Sequence, residues 1–254
     1  MQKHPEITEK ECKEVRRLIE KLLAFLENGE KCLVCGLRKR NIKIRKDGVG
    51  ICEECYDELF AKKACDYYDT NGVVDRLFAP FEYRGKIRRA LMDMKFNGFS
   101  AYGYPIGMLV SECLPEYYEY DSYDMIIPVP LHSQRMRERG YNQVSLIAEA
   151  LAERLDVELA DDVLFRVKNT KRQMNLSDSE RQLNLLNAFY AVEEYVYGKR
   201  ILLADDIYTS GATLKNCVSE LKAKGASEVS AVVVCENFKR DDGRVYNIHF
   251  PVNK

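Results

Sequence analysis

From about residue 73 onward, short apolar runs alternate with stretches in which apolar positions recur every three or four residues. Runs of the first kind suit buried strands and those of the second suit amphipathic helices, so the alternation predicts an α/β domain. Strands are expected over residues 73–83, 125–129, 201–204 and 229–235. Helices are expected over 86–96, 106–114, 142–155 and 214–224. The third carries Val144, Ile147, Ala148 and Leu151 on one stripe, and Gly225 closes the fourth. Residues 166–184 are polar and predict a mobile loop or hairpin. Near the N-terminus, Thr8 and Glu11 form a capping box. Val15, Leu18, Ile19, Leu22, Leu23 and Leu26 then follow at helical spacing up to Gly29. Three units are expected: a helix over 1–29, a cysteine-rich segment over 30–66 and the α/β domain over 67–254.

Composition sharpens this picture. Hydrophobic residues make up 46% of the 254 and charged residues 31%, a balance that supports a folded core. The 39 basic and 40 acidic residues exclude a uniformly basic nucleic-acid binder, though not a local basic patch. No apolar run approaches the roughly 18–20 residues of a membrane span. The first six residues lack the apolar stretch of a secretory signal. A cytoplasmic protein without a membrane span is expected. The nine cysteines are odd in number, which argues against a fully paired disulfide framework.

Four of those cysteines stand in two CxxC pairs, Cys32 with Cys35 and Cys52 with Cys55. A two-residue gap turns both thiolates of a pair onto one ion, and the length between the pairs suits a four-cysteine zinc site. Four protein ligands leave no open position, so a structural Zn²⁺ is expected; a redox CxxC fits two such pairs less well. Cys12, Cys65, Cys113, Cys217 and Cys235 read as small buried residues. Between the pairs lie Arg38, Lys39, Arg40, Lys43, Arg45 and Lys46 with no acid among them. Such a segment either contacts a phosphate backbone or is a solvated charged face. A second basic stretch holds Arg84, Lys86, Arg88, Arg89 and Lys95 against Asp93 alone, with the same two readings. Tyr117, Tyr118, Tyr120 and Tyr123 are either base-stacking residues or ordinary filler.

The sharpest motif runs from Ile201 to Leu214. An apolar strand leads to Asp205 and Asp206, and Thr209, Ser210, Gly211, Ala212 and Thr213 then open a helix. Small and hydroxylated residues let backbone N–H groups close around an anion, with the helix dipole in support. The paired carboxylates suit vicinal sugar hydroxyls or a hydrated Mg²⁺. A Walker A loop would need a lysine after its final glycine, and none follows here.

This stretch resembles the phosphoribosyl-pyrophosphate (PRPP) signature of type I phosphoribosyltransferases. The resemblance implies that Asp205 and Asp206 meet the ribose and that Thr209 to Thr213 cradle the 5′-phosphate, with Ser210 where threonine is commoner. The corresponding loop for pyrophosphate is Val129 to His132, including Pro130, with Arg135 as a charge partner. Arg139, Asn142 and Gln143 either pin that loop or touch the ligand. Further stretches narrow the likeness: Tyr83 to Leu91 with Met94 to Gly98, Ile127 to Leu131 with Arg139 to Gln143, and Gln173, Leu176, Arg181, Asn184, Ala188 and Phe189. With the four-cysteine ribbon, these resemble the ComF family of competence-associated proteins over residues 30–238. The resemblance implies a type I phosphoribosyltransferase-like fold, a mostly parallel sheet flanked by helices, behind a small zinc ribbon. It further implies a cytoplasmic DNA-uptake factor that binds single-stranded DNA beside a helicase-like ATPase, with PRPP and Mg²⁺ at the phosphate loop. DNA contacts would then fall on Arg38, Lys39, Arg40, Lys43, Arg45, Lys46, Arg88 and Arg89. The alternative is an active phosphoribosyltransferase, with Asp205 and Asp206 catalytic, that passes ribose 5-phosphate to a nitrogen acceptor.

Overall fold

The computed structural model describes residues 30–46, 49–61, 66–67, 74–114, 123–167 and 188–237. The expected helix over 1–29, Cys12, Cys65, Tyr117, Tyr118, Tyr120, residues 168–187 and the tail from 238 lie outside the described residues, as do the side chains of Arg45 and Lys46.

The cysteine-rich segment is a four-stranded ribbon. Strand β1 (Glu30–Cys32) pairs antiparallel with β2 (Arg38–Lys39). Strand β3 (Ile42–Lys46) pairs antiparallel with β4 (Val49–Cys52), and β1 joins the two halves by running parallel to β4. Helix α1 (Glu53–Ala61) follows. Leu33, Val34, Ile44 and Ile51 are buried in one core cluster with Phe78, Ile87, Leu91, Ile106 and Leu109. The ribbon is therefore a layer of the main core. Short strands bury too little surface to stand alone, and here the α/β domain supplies the missing wall.

The chain then gives β5 (Asp66–Tyr67), β6 (Leu77–Ala79), β7 (Phe81–Glu82), α2 (Gly85–Phe96) and α3 (Gly103–Ser111). Next come β8 (Met125–Pro128), α4 (Ser133–Arg139), α5 (Gln143–Leu155) and β9 (Glu158–Leu159). Last come β10 (Leu164–Arg166), β11 (Phe189–Ala191), α6 (Glu193–Val196), β12 (Arg200–Tyr208), α7 (Ala212–Ala223) and β13 (Glu228–Glu236). The seven-stranded main sheet has the order β5-β6-β13-β12-β8-β9, with β7 also beside β13. All its pairings are parallel except β5 with β6.

Successive residues of β12 alternate between two cores. Leu202 and Ala204 pack with α2, α3, α5 and the ribbon, whereas Ile201 and Leu203 pack with α7 and the antiparallel β10–β11 pair. Helices α3 and α5 approach closely because Gly103 and Gly107 face Leu146 and Ile147. A Cβ on Gly107 would stand 2.3 Å from the Ile147 carbonyl oxygen.

Three expectations change in detail. The strand over 73–83 divides into β6 and β7 around Pro80, which has no N–H for the ladder. The strand over 201–204 extends to Tyr208, because the nine-residue β13 pairs with it as far as Glu236. Asp205 and Asp206 thus lie within a strand and not beyond its end. Tyr123 is buried, which removes it as a base-stacking candidate.

Candidate functional site

The strand pleat sends the two aspartates to opposite faces. Asp206, only 5% exposed, shares the face of α2 and α5. Lys95 Nζ reaches both of its carboxylate oxygens at 2.8 Å, and Gln143 Nε2 donates to Oδ2 at 2.6 Å. Gln143 Oε1 in turn accepts from Arg139. A buried carboxylate needs such partners, since leaving one of them out strands a charge away from water. Asp206 therefore joins β12, α2 and α5 into one network.

Asp205 faces the other layer and is half-buried. Its Oδ1 accepts the Asp206 N–H at 2.8 Å. Burial, and then the neighbouring Asp206 carboxylate, push its pKa well above the ordinary carboxylate range, while Lys95 and Arg166 oppose that rise. Arg166 at the end of β10 is held below the usual arginine value by burial and by the like charge of Arg135. Arg135 also faces Arg139. The end of the sheet thus gathers Lys95, Arg135, Arg139 and Arg166 around two carboxylates, a surplus of positive charge suited to a polyanion.

Beyond Tyr208, Thr209 is half-buried, Ser210 exposed and Gly211 buried with φ +71°. Gly211 is the N-cap of α7 and has no side chain with which to cap it. A Cβ there would lie 2.6 Å from the Tyr208 hydroxyl, so both the φ and the space call for glycine. The turn places the N-terminus of α7, from Ala212, just past the end of the strand that carries Asp205. From the adjacent strand, Val129 N donates to Ala204 O at 2.8 Å, and Asn142 Nδ2 donates to Val129 O at 3.1 Å. Asn142 also caps α5 through Val144 N. It therefore pins the 129–132 loop to the helix. His132 caps α4, its Nδ1 accepting from Gln134 N at 3.1 Å. Pro130 and Arg135 are half-buried on the same rim.

The cysteines form a second centre. The sulfurs of Cys32, Cys35, Cys52 and Cys55 lie within 4.8 Å of one another. Sulfur atoms on a tetrahedral ion at about 2.3 Å stand roughly 3.8 Å apart, so this donor set can hold a metal ion. Cys113, Cys217 and Cys235 are buried elsewhere. Around the cluster, Lys39 is paired with Glu54 at 2.8 Å, and Lys43 lies 3.9 Å above the Tyr56 ring and 4.0 Å from Asp57. Arg38, Arg40, Arg88 and Arg89 are exposed. The basic residues of the ribbon are thus not equivalent, because Lys39 is already compensated. Lys86 ties the ribbon to α2, with Nζ 2.6 Å from Glu58 and 3.7 Å from Cys55 Sγ.

Reasoning from the sequence brought together Asp205, Asp206, the 209–213 loop and the 129–135 loop, and the structure groups these at one sheet end. It did not find Lys95 and Arg166 as neighbours of the aspartates, because both come from distant elements. The only hint for Lys95 was its place in a basic helix stretch.

A parallel sheet with this acid pair and glycine turn at its carboxyl end defines a type I phosphoribosyltransferase-like fold. In agreement, the phosphoribosyl transferase domain family matches residues 145–248. Competence protein F of Haemophilus influenzae is 38% identical over 109 residues, 42% of this chain and 47% of that protein. DNA utilization protein YhgH of Escherichia coli is 33% identical over 112 residues, 44% of this chain and 49% of that protein. The matched region spans about half the length of each of these two relatives. Competence protein ComFC of Streptococcus pneumoniae is 27% identical over 224 residues, 78% of this chain and 96% of that protein. The chain is thus similar to competence proteins of the ComF family, and it carries a phosphoribosyltransferase-like domain and a four-cysteine cluster.

Among the described residues, no helix is long and apolar enough to cross a membrane.

Proposed function

We propose that the protein is a cytoplasmic competence factor for DNA uptake that binds single-stranded DNA and holds PRPP at the end of β12. One observation carries the ligand half of this reading: a half-buried carboxylate, Asp205, on the strand that runs into a helix N-terminus whose cap residue is the left-handed Gly211. Asp205 would accept from the ribose hydroxyls, and the amides of Gly211 to Thr213 would hold the 5′-phosphate. Asp206 enters as the buried anchor of the strand end, its oxygens engaged by Lys95 and Gln143. Arg135, with Val129 and Pro130 on its loop, would face the pyrophosphate. Mg²⁺ would enter with PRPP and offset its charge. Zn²⁺ is the ion that four thiolates suit, and with no open position it would hold the ribbon together and take no part in chemistry.

The DNA half rests on the names borne by the relatives and on the exposed cations Arg38, Arg40, Arg88 and Arg89. Lys43, Arg45 and Lys46 extend the same segment. A helicase-like ATPase is the partner this role requires. An active phosphoribosyltransferase is the second reading, favoured by the cluster of Arg135, Arg139 and Arg166, which can neutralise a departing pyrophosphate.

Fluorescence anisotropy of labelled single-stranded DNA, titrated with zinc-loaded protein at several salt concentrations, tests the principal reading. Binding should weaken steeply with salt. Charge reversal at the exposed Arg40 should weaken it more than reversal at Lys39, which is paired with Glu54. Absence of binding even at low salt would refute the DNA role. Release of pyrophosphate from PRPP with a nitrogen acceptor would establish the second reading instead.

A further inference from the structure

Between the first cysteine knuckle and helix α2 lies a shallow cleft of about 260 Å³. Its knuckle wall is Cys35, Gly36 and Leu37 with Lys31 beside them, and its helix wall is Arg89 and Asp93. Positions 89, 93 and 96 share one face of α2, so Phe96 continues that wall. Phe96 is 62% exposed, an unusual setting for a phenylalanine. Phe99, 40% exposed, stands next along the chain, stacked on Tyr102 with ring centroids 5.1 Å apart. Lys31 Nζ lies 5.5 Å from the centroid of the Phe99 ring. Arg38 stands opposite Lys31 in the β1–β2 register. The acid on the helix wall, Asp93, accepts from Asn97 Nδ2 at 2.7 Å.

We infer that this cleft is where single-stranded DNA docks, with unpaired bases stacking on Phe96 and Phe99 and phosphates held by Lys31, Arg38 and Arg89. The inference rests on the DNA-binding reading and gives it a surface. Aromatic rings beside cations are the combination that single strands require, since every base offers a π-face and every nucleotide a charge. Duplex DNA buries its base faces and could use only the cations. One wall of the cleft is a cysteine knuckle, so its shape depends on the four-cysteine cluster.

The chain contains no tryptophan, so Phe96→Trp introduces a single indole on an exposed position, and red-edge excitation reads it apart from the 16 tyrosines. Oligothymidylate added to this full-length, zinc-loaded variant should quench its fluorescence, and duplex of equal length should not. In anisotropy, Phe96→Ala and Phe99→Ala should each weaken single-strand binding about five- to a hundredfold, and Phe99→Tyr should retain it. Both positions are partly solvent-exposed, and circular dichroism identifies any variant that has not folded. Wild-type protein that fails to bind single strands would overturn the DNA-binding reading itself. Wild-type binding with unchanged affinity in both alanine variants, or equal quenching by duplex, would leave that reading standing and overturn this site.

Discussion

Replacing Asp205 with asparagine should make the ligand-free protein more stable while removing its ligand. In the folded chain the carboxyl is raised from an ordinary 3.8 to about 7, first by burial and then by the charge of Asp206. An acid whose folded pKa lies above its unfolded one opposes folding once the pH exceeds the unfolded value. The whole difference corresponds to about 4 kcal/mol at about 1.4 kcal/mol per pH unit. Relaxation and water entry beside a half-buried group reduce that figure, and we expect about 2 kcal/mol. Asparagine keeps Oδ1 as acceptor for the Asp206 N–H, now at 2.8 Å, so the backbone need not move. Below about pH 4 the wild-type acid is protonated in both states, and the two proteins should be equally stable. Between about pH 4 and 7 the variant gains on wild type, and above about pH 7 the gap is constant. Urea unfolding followed by circular dichroism at about pH 8, 6 and 4 measures this directly. Equal stability at about pH 8, or a gap that persists at about pH 4, would refute the electrostatic account. PRPP with Mg²⁺ at a hundredfold excess over its Kd should add about 2.7 kcal/mol to wild type and almost nothing to the variant.

Lys95→Met should destabilise by about 3 kcal/mol, because it leaves the Asp206 carboxylate buried without its cation, and adding Asp206→Asn should restore part of the loss in a double-mutant urea cycle. Gly211→Ala should cost about 1–3 kcal/mol in thermal unfolding and weaken PRPP binding, since alanine meets both a left-handed φ and the Tyr208 hydroxyl; unchanged values for both would refute the reading of this turn. Removing the metal with a strong chelator, or substituting Cys35→Ser, should loosen the ribbon and abolish single-strand binding while PRPP still protects the sheet from thermal unfolding. Retention of DNA binding in metal-free protein would show that the knuckle does not shape the interface.

Much of this arrangement was legible along the chain because it is local. Spacing alone paired Cys32 with Cys35 and Cys52 with Cys55, since a two-residue gap is a geometric constraint that needs no distant partner. The turn from Thr209 to Thr213 was legible for the same reason. So were the α/β alternation and the helix end at Gly225. What the tertiary structure decided are relations between elements far apart in sequence. Pairing with β13 carried the strand past Asp205, and the pleat then sent the two aspartates to different faces and different partners. Lys95 lies 111 residues from Asp206, and no local pattern tells a helix lysine bound for solvent from one that crosses to a buried acid. Equally, the basic run around the cysteines looked uniform, yet Lys39 is half-buried and paired with Glu54 whereas Arg40 is exposed. Periodicity reports which face of an element is apolar. Which charge meets which depends on how the layers pack, because burial raises the strength and the cost of each such pair at once.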